Sequence, residues 1–290
     1  MKETKLIFLH ALTPVHVGTG QAVANVDLPI AREKATGFPI IPASAFKGVL
    51  RDHFAYNGTL SREELIKAFG SEPPKPGETE REPEGGDWAF TDLRILCLPV
   101  RSFYGTFAYV TCPLVLQRLK QVAQAFHAET PYATVPSVEE TQVLTATKGA
   151  LFRDSKVYLE ELDLEAKEDV QAQQIASALA QHLFSKNGDE RQAFVNRFAI
   201  VSDQVFDYLS ETATEIAARV RLDDDKKTVI GGALWYEECV PAESIFYGFA
   251  THVKAVENAQ ASLEKLEMDA CLQIGGDATI GRGICRVVIR

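Results

Sequence analysis

With 290 residues, 46% hydrophobic and 24% charged, the chain has apolar material for one large domain or two small ones. No run of about 18 apolar residues occurs, and Met1-Lys2-Glu3-Thr4 lacks the apolar core of a signal peptide. No membrane partner is therefore expected, and the cytoplasm is the expected compartment.

The net charge of −10 argues at first against a nucleic-acid partner, but it is unevenly placed. Residues 72–87 carry six acids against two bases, and residues 159–169 six acids against one. A locally basic groove elsewhere is compatible with that distribution. The five cysteines, Cys97, Cys112, Cys239, Cys271 and Cys285, show no C-x-x-C spacing. They read as reduced core or strand residues rather than a zinc site.

Residues 4–12 are apolar at successive positions, which predicts a strand buried on both faces and central in its sheet. Pro14 ends it, and His16-Val17-Gly18-Thr19-Gly20 follows as a glycine loop. The third glycine of a dinucleotide fingerprint is missing, so that reading is rejected. Asp27 stands in an irregular segment before Pro29. It reads either as a turn acid that caps its own backbone or as a lone catalytic carboxylate.

Ile41-Pro42-Ala43-Ser44 predicts a helix start with Ser44 as N-cap and Phe46, Val49, Leu50 and Phe54 as its buried stripe. Lys47 and Arg51, four apart, share another face. They read as a phosphate seat or as a solvated helix surface. A second helix is expected over 61–69, and 71–87 as a mobile acidic loop. Apolar strands resume in 88–100. Pro113 opens a helix with Val115, Leu119, Val122 and Phe126 inward. Residues 130–155 read as irregular, 157–164 as a strand and 165–184 as a helix. Shorter helices are expected over 190–199 and 203–212.

Residues 215–237 predict a long hairpin with Asp223-Asp224-Asp225-Lys226-Lys227 at its tip. The aspartates read as a solvated turn, not a metal site, because strand neighbours point to opposite faces. Leu234-Trp235-Tyr236-Glu237-Glu238 then brings aromatics and carboxylates together; the aromatics suit base stacking or the core. Residues 241–253 predict a strand whose Tyr247-Gly248-Phe249-Ala250-Thr251 echoes an RNA-recognition aromatic motif. Asn258 is expected to cap a helix carrying Leu263 and Leu266. Gly275-Gly276-Asp277-Ala278-Thr279-Ile280-Gly281-Arg282-Gly283 precedes a last strand, 284–289. It departs from a nucleotide P-loop at Arg282 and Gly283 and leads into a strand, which argues against ATP, but it suits a phosphate cradle.

These pieces, His16 to Gly20, Asp27, Ile41-Pro42-x-Ser44-x-x-Lys47-Gly48-x-x-Arg51, Leu234 to Glu238 and Gly275 to Gly283, resemble the RAMP superfamily of CRISPR proteins. Within it they are similar to the backbone subunits of the type III-B (Cmr) effector complex. The resemblance implies an α+β fold: a single RAMP domain over 1–290 with an RRM-like (ferredoxin-like) palm, inserted helical segments and a β-hairpin thumb at 215–237. It implies a guide RNA, a target RNA, further copies of the chain in a helical filament and other Cmr subunits as partners. It also implies metal-dependent endonuclease cleavage of target RNA at regular intervals, with Mg²⁺ or Mn²⁺ as cofactor.

The implied catalytic acid is Asp27, with His16, Glu237 and Glu238 as helpers. Gly18, Gly20, Ser44, Lys47, Arg51, Gly275, Gly276, Gly281 and Arg282 are assigned to RNA phosphates. A purely structural scaffold, and an endonuclease that trims precursor guide RNA, stay open beside this reading.

Overall fold

The computed structural model describes residues 3–20, 26–72, 82, 84–223, 229–253 and 262–290. The predicted central strand is β1 (Thr4–Ala11), whose last six residues are all buried. It lies between β12 (Ile245–His252) and β14 (Ile284–Ile289), antiparallel to both. β13 (Met268–Gln273) pairs with β14 at one edge, and β4 (Leu93–Ser102) pairs with β12 on the other side. The short strands β2 (Ile40–Ile41) and β3 (Trp88–Phe90) pair with β4 and β12.

β4 is long enough to serve two halves of the sheet. Arg94 to Cys97 face β12, whereas Leu98 to Ser102 pair with β5 (Thr106–Thr111). The path continues through β9 (Phe198–Val201), β6 (Gln142–Thr145), β8 (Leu162–Glu168) and β7 (Lys156–Leu159). It curls back until Leu159 meets Ser102 on β4. The result is a mixed α/β fold of twelve strands in one sheet, with six helices among the described residues.

Helix α1 (Ala43–Asn57) buries Phe46, Leu50 and Phe54, one every fourth residue, as its stripe requires. Each such side chain contributes about 1.5–3 kcal/mol on leaving water. Ser44 is not its N-cap. Pro42 takes that position without a side-chain bond, and Asp92 Oδ1 accepts from the Ala43 amide at 2.8 Å. A long-range acid thus does what a local hydroxyl was expected to do. Helix α2 (Arg62–Phe69) carries a full capping box between Ser61 and Glu64. Helix α3 (Pro113–Ala125) has Pro113 in its first turn and buries Val115, Leu116, Leu119 and Ala123.

The acidic segment 157–169 is not a strand followed directly by a helix. It forms the β7–β8 hairpin, turned at Glu160 with φ +49°, and α4 (Val170–Leu183) starts only after Asp169 caps the Ala172 amide. β6 lies inside 130–155, where no strand was expected, and β9, a four-residue buried run, separates α5 (Gly188–Arg197) from α6 (Asp203–Thr212). Runs that short carry no usable periodicity. Most of the acidic loop 71–87 (73–81 and 83), the hairpin tip 224–228 and Asn258 lie outside the described residues. Ser262 caps the short 3-10 helix Leu263–Leu266 instead. Tyr247 and Phe249 are buried core residues, so the RNA-motif echo points inward, away from any ligand.

β10 (Glu215–Leu222) and β11 (Val229–Cys239) form the predicted hairpin as a separate two-stranded sheet. No helix among the described residues is long and apolar enough to cross a membrane.

Candidate nucleic-acid interface

The loop after β1 and the glycine loop before β14 meet although more than 250 residues of chain separate them. The Gly276 amide donates to His16 O at 2.8 Å, and the Gly283 amide to Pro14 O at 2.8 Å. Contact is close enough to demand glycine. At Gly275 (φ +87°) a Cβ would stand 2.2 Å from His16 O, and at Gly283 (φ +73°) 2.0 Å from Ile274 O. Gly18 packs under the His16 ring, where a Cβ would lie 2.7 Å from Nε2. Gly20 and Gly281 face open space.

Behind the two loops lies a network of charges. Glu237, on β11, is buried and meets Arg219 Nε at 3.1 Å and Arg282 Nη1 at 3.2 Å. Asp277 Oδ2 accepts from the same two guanidiniums at 3.1 and 3.2 Å. The Asp277 carboxyl is held below the usual range by its hydrogen bond with Glu237 and, against some burial, by the two arginines. Two guanidiniums thus face two hydrogen-bonded carboxyl groups. Arg282 stands beside the loops with both groups as partners. His16 Nδ1 lies 2.7 Å from Glu238 O and 3.8 Å from Glu237 Oε1, so the ring packs onto this network.

Glu238 belongs to a second knot. Its Oε1 accepts from Arg32 Nη2 at 2.5 Å and Thr214 Oγ1 at 2.9 Å, and its Oε2 from the Ile30 amide at 3.1 Å. Every described contact of this buried acid holds chain segments together.

Asp27 differs from both. It is exposed, and its Oδ2 accepts one hydrogen bond among the described residues, from the Tyr236 amide at 2.7 Å. The segment behind it runs beside β11 as a short parallel bridge: Leu28 N donates to Tyr236 O at 3.1 Å, and Glu238 N to Leu28 O at 3.0 Å. Asp27 is therefore fixed to the base of the hairpin, with its carboxylate in solvent. One hairpin face beside it is apolar and open. Ile216 and Val220 on β10 and Leu234 and Tyr236 on β11 are exposed and lie on one side by register.

Ser44, Lys47 and Arg51 stand on α1 and share no hydrogen bond or ion pair with either loop among the described residues. Arg51 donates to Gly70 O at 2.6 Å and pairs with Glu72 at 3.4 Å. Lys47 has no ion-pair partner among the described residues; partial burial, then the charge of Arg51, lowers its pKa. Asp277, Arg219, Arg32 and the Tyr236 amide were not singled out from sequence as site residues. Only the hairpin register, which sets Arg219 one step from Glu237, carried a hint of them.

Mg²⁺ or Mn²⁺ wants oxygen ligands. One converging group of three possible ligands occurs among the described residues: His16, Glu237 and Cys239, within 4.8 Å of one another. It does not fit. The set is mixed nitrogen, oxygen and sulfur, two guanidiniums hold Glu237, and burial pushes the Cys239 thiol up to about 11. The exposed carboxylate of Asp27 fits better, because Mg²⁺ is commonly held by one or two carboxylates together with substrate phosphates.

The family model of the RAMP superfamily matches residues 8–286. The chain belongs to the RAMP superfamily. Among curated RAMP relatives, the CRISPR system Cmr endoribonuclease Cmr4 of Pyrococcus furiosus is 33% identical over 98% of this chain and 95% of its own length. The CRISPR system CMR subunit Cmr4 of Saccharolobus solfataricus is 25% identical over 97% of this chain and 94% of its own. Among solved structures, oligomeric Cmr4 from Pyrococcus furiosus superposes with a TM-score of 0.77 at 30% identity, covering 100% of this RAMP chain and 98% of that one.

Proposed function

We propose that this chain is the backbone subunit of a type III-B Cmr effector complex. It binds guide RNA, stacks with copies of itself and cuts the complementary target RNA. Full-length similarity to a Cmr endoribonuclease supports the assignment, and similarity to an oligomeric relative supports stacking. The sheet order β14-β1-β12-β4, all antiparallel, is the order of an RRM-like palm, and the separate β10–β11 hairpin suits the thumb. On this reading β5 to β9 are insertions in a single RAMP domain, and the complex is cytoplasmic.

The observation that carries the catalytic reading is the exposed Asp27 carboxylate fixed to the base of the hairpin. RNA supplies its own nucleophile, the 2′-hydroxyl. A hairpin that splays the guide–target duplex beside Asp27 brings that hydroxyl into line with the next phosphate. The protein then needs to position, to balance charge and to move one proton. Of the three candidate acids Asp27 alone is exposed, Glu237 and Glu238 being buried, and it serves as proton acceptor or as metal ligand. A divalent ion held there would offset charge on the phosphate. Glu237, Glu238 and His16 hold the frame, and Lys47 with the open turns at Gly20 and Gly281 meets guide phosphates.

The test is a reconstituted complex with end-labelled target RNA. Evenly spaced fragments ending in cyclic or 3′-phosphate are expected with Mg²⁺, and none with EDTA. Cutting that survives EDTA would remove the metal from the account. Cutting that survives replacement of every candidate acid would favour a structural subunit served by a nuclease partner.

A further inference from the structure

A groove of about 440 Å³ opens on the other flank of β1, lined by none of the residues discussed above. Leu12, Phe107, Arg197 and Glu243 line it, with the buried His10 and Tyr109 beneath. Its size suits a small planar molecule.

Glu243 is built into this place. Its φ of +73° is unusual for a residue with a side chain, and its amide donates to Ala11 O at 2.7 Å. His10 Nε2 donates to its Oε2 at 2.9 Å, and the Tyr109 hydroxyl donates to the same oxygen. Burial would raise the pKa of this carboxyl, but those two bonds outweigh it and hold it below the usual range. The carboxylate is charged at neutral pH. Its Oε1 has no donor among the described residues, and the side chain remains 38% exposed.

Arg197 supplies the opposite charge. Its Nε donates to Gly105 O at 3.1 Å, and its guanidinium lies 5.6 Å from the centre of the Phe107 ring. Nη2 has no acceptor among the described residues. Glu190 and Arg286, also at the groove, pair with each other at 3.3 Å, so a cationic ligand would meet Arg197 and an anionic one Glu243. A neutral heterocycle with a donor beside an acceptor satisfies both, and the Phe107 ring offers it a stacking surface.

We propose that this groove is a binding site for a nucleobase. An N–H of the base donates to Glu243 Oε1, and a neighbouring acceptor of the base takes a hydrogen bond from Arg197. The base comes from a free nucleotide or from an unpaired nucleotide of RNA. The site is independent of the role given to Asp27.

Calorimetric titration of the full chain with AMP, CMP, GMP and UMP tests it. N3-methylated UMP, which lacks the ring donor, is expected to bind about tenfold more weakly than UMP, since the Glu243 carboxylate then meets no N–H. Glu243→Ala should remove that difference. Phe107→Ala should weaken all four alike. Oligo-A that displaces AMP identifies RNA as the source; AMP binding undisturbed by oligo-A identifies the free nucleotide. No binding, equal binding of UMP and its N3-methylated form, or a difference unmoved by Glu243→Ala would overturn the proposal.

Discussion

Asp27 and Glu238 sit on neighbouring segments of one patch, yet their surroundings are opposite. Glu238 is buried and takes three hydrogen bonds from two chain segments. Asp27 is exposed and takes one among the described residues. A carboxylate with both oxygens bonded holds a fold together, whereas one in solvent can do chemistry. Residue type and spacing alone do not separate the two roles; the accounting of donors does.

Breaking the comparison from the structural side should produce the larger stability effects. Glu238→Ala leaves Arg32 without its carboxylate and is expected to cost about 3 kcal/mol, the low end for a buried pair because Arg32 keeps some water. Urea unfolding of the chain measures it, and a loss below about 1 kcal/mol would deny Glu238 its scaffold role. Gly275→Ala drives a Cβ into His16 O and should cost a similar amount, about 2–3 kcal/mol, from overpacking and the left-handed backbone.

These effects mark what the sequence could and could not disclose. The central strand, the α1 stripe and the hairpin were legible because each spans two or more periods of its pattern. The two glycine loops were legible as loops, but their contact was not, since it depends on sheet order. Ser44 failed as a cap because Asp92, far along the chain, reaches the helix amide first. The β7–β8 hairpin was missed because charged residues mask its alternation. Arg219 and Asp277 stayed hidden for a related reason: their partners are set by register and by the meeting of distant loops.

A third, smaller effect lies in acid. Arg286 and Lys186 hold the Asp269 carboxyl down to about 2. A depressed folded pKa contributes stability above the unfolded value, and that stability drains as pH falls toward 2. Asp269→Asn should therefore destabilise the chain at pH 6 and flatten the slope of stability between pH 4 and pH 2. An unchanged slope would mean the ion pair does not form in solution.

The smallest effect is expected at Lys47. Because it has no carboxylate partner among the described residues, Lys47→Ala should weaken guide-RNA binding and lower the slope of log affinity against log salt by about 0.7. Arg51→Ala, whose partners are Gly70 O and Glu72, should change that slope less. Equal slopes for both variants would erase the distinction between the two cations.

The most direct measurement is single-turnover cleavage at saturating target RNA by complexes assembled with Asp27→Asn and, in parallel, Glu238→Gln. The account predicts that Asp27→Asn binds target as tightly as the parent and cuts roughly 10²–10⁴-fold more slowly, while Glu238→Gln cuts near the parental rate once folded. Parental cutting by Asp27→Asn, or a larger loss from Glu238→Gln, would contradict it.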